Sequence, residues 1–286
     1  MYSEKDYFAY RARQTLKHHG YSVELTETDQ RIRAALRAAA LHLNVALLAE
    51  SEEQARNWKS VLAPAVQQNG HPRSDNASIT LHTQSWDAPL TGRYDEIHVI
   101  DANSLSTERI EQLTQQTTLL SLHVFSDWPN LPGGQHWSSW ASAETLALYL
   151  KNLLGTLNNQ ALCCFSWEDY LQLKQSRGNS TGVLISAVDW RHVLDELMLK
   201  TKIWSDTTLI LIFLNIQPDF TFGEYAEIDD LLHKHLAGRC LLSISSANPS
   251  QTETTLPALT PGQQINKSPY ANNFSLKCLA VWIDHC

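Results

Sequence analysis

Glycine is scarce in this chain, which has only 11 among 286 residues, against roughly 7% in an average protein. Only Gly133 and Gly134 are adjacent. A loop that wraps a phosphate needs several glycines close together, because its backbone must approach the anion closely. The sequence contains no GxGxxG, GKS or GKT motif. Most nucleotide-hydrolysing designs are therefore disfavoured.

Positive charge is also in short supply, since 22 Lys and Arg face 30 Asp and Glu for a formal net charge of -8. This balance argues against broad binding of nucleic acid or anionic membranes. The apolar runs, such as LILIFLNI (209–216), are far shorter than the ~20 residues of a membrane-spanning helix. The N-terminal MYSEKDYFAYRAR has no apolar core typical of a signal peptide. We expect no nucleic-acid partner, no integral membrane segment and a cytoplasmic location.

The five cysteines form no CxxC pair, which favours reduced thiols. His233 and His235 lie near Cys240, and the chain ends in Asp-His-Cys (284–286). Residues two apart on a helix point to different faces, so the two histidines are poorly placed to share an ion. Cys163-Cys164 has no adjoining Lys or Arg to lower a thiol pKa. We predict no metal site and no catalytic residue.

Segments of strand and helix character alternate along the chain. Strands are predicted over 44–49, 78–84, 96–102, 119–126, 181–188, 209–216, 239–247 and 274–284, and helices over 1–40 (with RIRAALRAAALHL, 31–43), 51–66, 106–116, 144–157, from 165, 190–204 and 222–238. Ser51 and Ser106 are candidate helix caps. The tryptophan-rich segment 127–140 and the polar stretch 248–273 are predicted to be loops. This alternation indicates an α/β fold with a parallel sheet and crossover helices.

The second half carries a series of short motifs in a characteristic order. CFSWED (164–169) precedes a helix, LQLKQSRGNSTGVLISA joins a helix end to a strand of small residues, and LILIFLNIQPDFTFGEY (209–225) contains Asn215, Ile216 and Asp219. In this order the chain resembles the tubulin/FtsZ superfamily, and bacterial cell-division FtsZ in particular, over roughly residues 144–284. The resemblance implies a Rossmann-like N-terminal domain, a connecting helix and a smaller α+β C-terminal domain.

The resemblance divides the chain into four parts. They are an N-terminal helical extension (1–43), a degenerate nucleotide-binding-like Rossmann-type domain (44–142), a connecting helix and loop (143–178) and a C-terminal α+β domain (179–286). The extension has no counterpart in the family.

The first half departs from the family at the positions that read guanine nucleotide. ESEEQAR and NSLSTER stand where the family has glycine-rich phosphate loops. In the catalytic loop, Cys164 replaces the family's asparagine and Ser166 replaces its first acid, whereas Asp169 remains. The resemblance therefore implies a pseudo-GTPase without a cofactor.

In the family, subunits stack head to tail with this loop inserted into the neighbour. The resemblance thus predicts a protein interface at Cys164, Ser166, Trp167, Glu168 and Asp169. The partner would be an active FtsZ relative or a second copy, and the role would be to regulate or cap filaments. The Trp167→Ala substitution is expected to weaken such a contact without unfolding the protein.

Two other functions remain open at this point. A divergent nucleotide enzyme would use Gly133-Gly134 with Ser138 and Ser139, the one stretch suited to phosphate. A structural or adaptor component of another bacterial assembly would use a tryptophan-rich surface. The chain has nine tryptophans in total. Aromatic residues are enriched in interfaces, but they also fill ordinary cores.

Overall fold

The computed structural model describes residues 41–66, 77–126, 136–158, 166–175, 179–187, 207–216, 221–236, 240–246 and 277–285, together with residues 9, 13, 22, 24, 26–31, 191–192, 195–197 and 199. Most of the predicted N-terminal extension lies outside them, as do Gly133, Gly134, Cys163, Cys164 and the predicted loop 248–273.

The described chain forms nine strands and five longer helices. The strands are β1 (Leu41–Ala49), β2 (Ala77–Ser85), β3 (Tyr94–Ile100), β4 (Thr117–Val124), β5 (His136–Trp140), β6 (Asn179–Ala187), β7 (Thr207–Ile216), β8 (Cys240–Ser246) and β9 (Lys277–His285). The helices are α1 (Glu52–Val66), α2 (Thr107–Gln115), α3 (Ala143–Leu157), α4 (Trp167–Gln175) and α5 (Phe222–Leu236), and a short 3-10 helix spans Ala102–Ser104.

All nine strands belong to one sheet, in the order β2-β1-β3-β4-β5-β6-β9-β7-β8. The first six strands pair in parallel, β9 is antiparallel to both β6 and β7, and β7 pairs in parallel with β8. The predicted α/β fold with a Rossmann-like parallel sheet is confirmed. The sheet runs on from β5 to β6 through the pairs Ser138–Ser180 to Trp140–Gly182. The four-part domain division stays a prediction.

The two faces of the sheet build two apolar cores, and β1 supplies both. Leu43, Val45 and Leu47 pack with α1, α3 and α4 on one face, whereas Ala46 and Leu48 pack with α2 on the other. Because side chains of a strand alternate between faces, a strand covered on both sides reads as a continuous apolar run. This is the physical reason for the sequence NVALLA at 44–49.

Helix α3 is apolar around most of its surface and lies on the face of the sheet shared with α1. Its Tyr149 reaches the β7 ring of Phe213, with the ring centroids 5.7 Å apart. It also contacts α1, β5 and β6. The helix predicted over 144–157 therefore touches strands from both halves of the sheet.

Two predicted boundaries were wrong. Strand β1 begins at Leu41, so residues 41–43 of the predicted helix 31–43 belong instead to this strand, where they pair with β2. The tryptophan-rich segment was predicted to be a loop, but His136–Trp140 form β5, which is paired on both sides. A strand buried between two neighbours does not need alternating polarity, and the polar Ser138 is satisfied inside the sheet by Ser180.

Candidate functional site

The carboxyl ends of β1 and β3 form the place where an open parallel sheet usually binds its ligand. Strand β2 lies outside β1, and β4 lies outside β3, so the chain leaves these two neighbouring strands in opposite directions. A crevice opens at such a switch point, and ligands of doubly wound folds bind there. We call the residues that follow the two strands, Glu50–Glu53 and Asp101–Ser104, the strand-end edge.

The β1 side of the strand-end edge is acidic and is already hydrogen-bonded to its own chain. Ser51 Oγ accepts from the backbone N–H of Gln54 at 3.3 Å, which confirms Ser51 as a helix cap. The Glu52 carboxylate accepts from the N–H of Ser85 at 3.0 Å. Helix N-termini attract anions through free N–H groups and a positive dipole. Here the acids Glu52 and Glu53 lie in the first turn of α1 and oppose a further anion.

The β3 side adds another acid in an unusual backbone conformation. Asp101 has φ 56°, in the left-handed region that few residues other than glycine adopt. Burial, and then the charge of Glu50, raise the pKa of this carboxyl. The following helix, α2, is capped by Ser106, whose Oγ accepts from the N–H of Arg109 at 3.2 Å. The strand-end edge therefore concentrates negative charge.

The stretch proposed for phosphate binding is only partly described. Ser138 is buried, and its Oγ lies 2.8 Å from Ser180 Oγ inside the sheet. Ser139 Oγ donates to the backbone oxygen of Ser126 at 2.8 Å. Gly133 and Gly134 lie outside the described residues. The two serines thus have protein partners of their own.

The predicted interface lies at the start of α4. Ser166 Oγ donates to Asp169 Oδ2 at 2.8 Å and accepts from the Asp169 N–H at 3.1 Å, while the Ser166 N–H donates to the same carboxylate at 2.9 Å. This reciprocal arrangement is a capping box. Ser166, Glu168 and Asp169 are exposed.

Trp167 differs from the surface position that the interface prediction needs. It is 7% exposed and packs against Tyr170, with ring centroids 5.6 Å apart. Removing a buried tryptophan side chain costs about 3–5 kcal/mol through lost burial and a cavity. The Trp167→Ala substitution is therefore a test of stability, and an interface prediction must rest on the exposed residues Ser166, Glu168 and Asp169.

A second cluster, which the sequence did not single out, lies beneath the sheet on the side of α3 and α4. We call it the buried polar network, and it comprises Glu96, His98, Ser121, His123, Trp140, Tyr149, Tyr170 and Lys174. Glu96 is 1% exposed. Its Oε1 accepts from Ser121 Oγ at 2.7 Å and from the hydroxyl of Tyr170 at 2.9 Å. The carboxylate thus links β3 to β4 and to α4.

A line of rings continues from the carboxylate. His98 Nε2 lies 3.5 Å from Glu96 Oε2, and His98 Nδ1 lies 3.1 Å from His123 Nε2. The indole N–H of Trp140 donates to His123 Nδ1 at 3.0 Å. Burial lowers the pKa of His98, with Glu96 opposing the shift, and burial with the neighbouring His98 lowers the pKa of His123 further. Both imidazoles are neutral at physiological pH.

Two tyrosines and a lysine complete the network on the helix side. The hydroxyls of Tyr149 and Tyr170 lie 3.4 Å apart. Burial, with the charge of Glu96, raises the pKa of both, so both remain protonated donors. Lys174 is 4% exposed, and its Nζ lies 5.9 Å from the centre of the Tyr170 ring. Its charge contributes to the lowered pKa of His98, His123 and His136.

One sequence signal would have revealed this cluster. Glu96 and His98 occupy alternate positions in the mainly apolar stretch 96–100 of β3, and Ser121 and His123 repeat the pattern in the next strand. Alternate residues share a face, and buried polar groups need partners. The pattern therefore predicts a polar layer on one face, although it does not identify the helix that covers it.

Among the described residues, no three or more His, Cys, Asp or Glu side chains are grouped so as to hold a metal ion. No helix in the described part of the chain combines the length and the apolar character needed to cross a bilayer. His233, His235 and Cys240 lie on α5 and β8, but their side chains are outside the described set.

Comparison with known proteins adds a likeness of fold. Neither a protein-family model nor a curated protein sequence matches this chain. The structure is similar to an FtsZ dimer from M. jannaschii, with a TM-score of 0.50 and 9% identity over 91% of this chain and 92% of that chain. CetZ from Methanosaeta thermophila matches with a TM-score of 0.43 and 11% identity over 85% of this chain and 86% of that one. The chain thus has the tubulin/FtsZ-type fold, as the sequence motifs predicted.

Proposed function

We propose that this chain is a non-catalytic protein of the tubulin/FtsZ fold that works through protein–protein contacts and does not hydrolyse GTP. The observation that carries the proposal is the chemistry of the strand-end edge. Glu50, Glu52, Glu53 and Asp101 surround the switch point between β1 and β3, and neither loop contains a glycine. A fold that binds nucleotide at this place needs the opposite: close backbone approach and positive potential.

Electrostatics gives the proposal its physical basis. A triphosphate brought to this edge would meet several carboxylates, and two unit charges 4 Å apart at a protein surface interact by about 4 kcal/mol. The N-terminus of α1, which would otherwise offset this repulsion, already has Ser51 Oγ as acceptor for the N–H of Gln54 and carries the acids Glu52 and Glu53 in its first turn. Binding of guanine nucleotide would therefore need a rearrangement of both loops.

The proposed contact surface is the exposed start of α4. Glu168 and Asp169 present carboxylates beside Ser166 there, so a partner should offer a basic patch. The similar FtsZ structure is described as a dimer, which supports an FtsZ-type subunit or a second copy as partner. A subunit that binds a filament end through one face, and has an altered face on the other side, would stop growth or regulate it.

The first experiment measures nucleotide binding and turnover. Purified full-length chain is titrated with GTP and GDP in the presence of Mg²⁺ by calorimetry, and phosphate release is followed over hours, with an active FtsZ as positive control. We expect neither binding nor release at 1 mM nucleotide, a concentration that corresponds to about 4 kcal/mol of binding free energy at half saturation. Saturable binding with turnover would overturn the non-catalytic assignment.

The second experiment tests the contact surface. The chain is sedimented with filaments of purified FtsZ from the same host, and separately alone across a concentration range to detect self-association. We expect binding to one of these partners, weakened by Glu168→Lys, whereas Asp230→Lys, a charge reversal of an exposed acid on α5, leaves it unchanged. Equal loss with both variants would indicate a general charge effect, and no association in either format would contradict the proposal.

A further inference from the structure

The buried polar network has a fixed direction of hydrogen-bond donation, set by Trp140. An indole nitrogen only donates. Its N–H points at His123 Nδ1, so that nitrogen must be an unprotonated acceptor. The neutral His123 ring then carries its proton on Nε2, which lies 3.1 Å from His98 Nδ1.

The same reasoning fixes the next ring. Because His98 Nδ1 accepts from His123, the proton of neutral His98 is on Nε2, which lies 3.5 Å from Glu96 Oε2 without the geometry of a hydrogen bond. At the other oxygen of the carboxylate, Ser121 and Tyr170 both donate to Oε1. The proton of Tyr170 is thereby used, so Tyr149 donates across the 3.4 Å contact between the two hydroxyls. The direction of donation therefore leads from Trp140 through the two histidines, and from Tyr149 through Tyr170, toward the Glu96 carboxylate.

We propose that this network is an acid-labile lock that holds α4 against the sheet, because a proton added to either His98 or His123 turns an acceptor into a donor facing another donor. On His123, the new Nδ1–H would face the Trp140 N–H. On His98, the new Nδ1–H would face the Nε2–H of His123. The added positive charge would also lie in a site that is shielded from solvent on every side.

Burial opposes an added proton on both histidines, and the nearby charges act differently on the two rings. Among the described residues, Glu96 on β3 is the carboxylate beside His98, and it favours a charged His98 more strongly than Lys174 opposes one. Lys174 on α4 and, for His123, the rings of His98 and His136 on the neighbouring strands act against protonation. The groups facing from α3 and β5, Tyr149 and Trp140, are neutral. The lowered pKa of both histidines agrees with the geometry.

The helix α4 is the element the lock would release. Its Tyr170 hydroxyl donates to Glu96 on the sheet, and its Lys174 is buried beside the Tyr170 ring. The charge of a protonated His98 would draw the Glu96 carboxylate toward its own ring and away from Tyr170, and it would repel Lys174. Since α4 begins with Ser166, Glu168 and Asp169, its release would also move these exposed residues. The lock does not depend on what they bind.

The direction of the pH dependence follows from linkage. Both histidines have a folded-state pKa below the ordinary value of 6.5, so the open state binds more protons. The closed state is fully favoured above that value and loses stability as the pH falls below it. The opening equilibrium constant should rise about tenfold per pH unit for each histidine that takes up a proton.

The primary test is direct observation of the tautomers in the native full-length chain. Long-range ¹H–¹⁵N NMR distinguishes an Nε2–H ring from an Nδ1–H ring. We expect both His98 and His123 to be neutral Nε2–H rings at pH 7.5. An Nδ1–H tautomer, or a charged ring, at either position would overturn the assigned direction and with it the lock.

The second test follows α4 by hydrogen exchange with mass spectrometry at pH 7.5, 6.5 and 5.5, corrected for the intrinsic exchange rate. We expect the amides of 166–175 to lose about ten- to a hundredfold of protection between pH 6.5 and 5.5, while the amides of β1 stay protected. Unchanged protection of α4, or an equal loss in β1, would contradict release of this helix.

Matched variants separate the two histidines from general acid effects. His98→Gln removes one titrating ring, so its α4 protection should depend less steeply on pH, by about tenfold per unit. His82→Gln changes an exposed ring on β2 and should behave as the wild type. If His98→Gln were as steep as the wild type, the lock would be refuted. If that variant does not fold, the tautomer measurement on the wild type decides.

Discussion

The strand-end edge and the buried polar network are both built on β3, yet they use polar residues in opposite ways. At the edge, Ser51 bonds to the N–H of Gln54 at its own helix start, and Glu52 reaches only to the end of the neighbouring strand at Ser85. In the network, Glu96 on β3 is bonded by Tyr170, which is 74 positions further along the chain. The edge caps a helix and joins neighbouring strand ends at the surface, whereas the network joins β3 to β4 and to a helix much further along the chain.

The difference shows where this fold depends on its polar groups. An exposed side chain at the edge can exchange its partner for water, so its loss costs little. A buried polar atom without a partner costs about 1–3 kcal/mol, and more when it is charged. Substitutions in the network should therefore destabilise the fold more than substitutions at the edge.

The largest effect should come from Glu96→Ala in the network. It would leave the buried hydroxyls of Ser121 and Tyr170 without their acceptor and would remove the carboxylate nearest to His98. We expect a loss of about 3–5 kcal/mol in the free energy of unfolding, as for a broken buried charge network. Urea denaturation followed by tryptophan fluorescence measures it. Glu53→Ala at the edge is the control, with a change within about 0.5 kcal/mol, and equal losses would erase the comparison.

Gly182→Ala on β6 should give the next largest effect, because it adds a methyl group against Trp140 of the network. A Cβ at this position would overlap Cε3 of Trp140, which is fully buried. The indole would have to shift, which would disturb its bond to His123, at a cost of about 1–3 kcal/mol. Gly223 is exposed on α5, and a Cβ there would lie 3.7 Å from its nearest neighbouring atom. Gly223→Ala should therefore be neutral or slightly stabilising. Thermal denaturation of both variants tests the pair, and a neutral Gly182→Ala would show that the ring is free to shift.

A smaller effect is expected from Ser166→Ala at the exposed start of α4. The hydroxyl accepts from the Asp169 N–H and donates to the Asp169 carboxylate. Loss of such a cap costs about 1 kcal/mol. Chemical denaturation should show this loss, and Ser166→Thr, which keeps a hydroxyl that can both accept and donate, should recover most of it. A loss as large as that of Glu96→Ala would mean that the cap belongs energetically to the network.

Asp101→Asn at the edge should have the smallest effect. It should stabilise the protein, whereas Glu96→Ala, Gly182→Ala and Ser166→Ala should destabilise it. Burial and Glu50 raise the pKa of Asp101 above 3.8, so the folded chain holds this proton more tightly and loses stability as the pH rises through that range. The amide removes the repulsion and tolerates the left-handed φ. We expect a gain of about 0.5 kcal/mol or less at pH 7, after allowance for solvent screening, and none near pH 3.5. Urea midpoints at both pH values test this, and destabilisation at pH 7 would show that the carboxylate has a favourable role.

Much of the fold was predictable from the sequence because it follows local rules. The apolar run at 44–49 predicted a strand buried on both faces, and Ser51 and Ser106 marked helix starts that the structure confirms. Strand β5 was missed because HWSSW lacks both alternation and β-branched residues and lies in a segment rich in Pro and Gly. Its strand conformation is set by its neighbours β4 and β6, which no local pattern shows.

The candidate site was less predictable, for a related reason. The acids after β1 were visible as ESEEQAR, but their meeting with Asp101 depends on the strand order. Trp167 was expected at the surface by analogy with a family loop. On a helix, however, residues three apart share a face, so Trp167 lies with Tyr170 and is drawn into the core by it.

The position of β9 has a consequence for how the chain is made. This strand comes last among the described strands, yet it fills the gap between β6 and β7. About 60 residues separate the end of β7 from its start, which corresponds to roughly 3–12 s of synthesis at typical rates. During that interval two apolar strands would leave the ribosome with unpaired edges, a known hazard for aggregation. A nascent chain of this protein should therefore bind chaperones until residues 277–285 emerge and close the sheet.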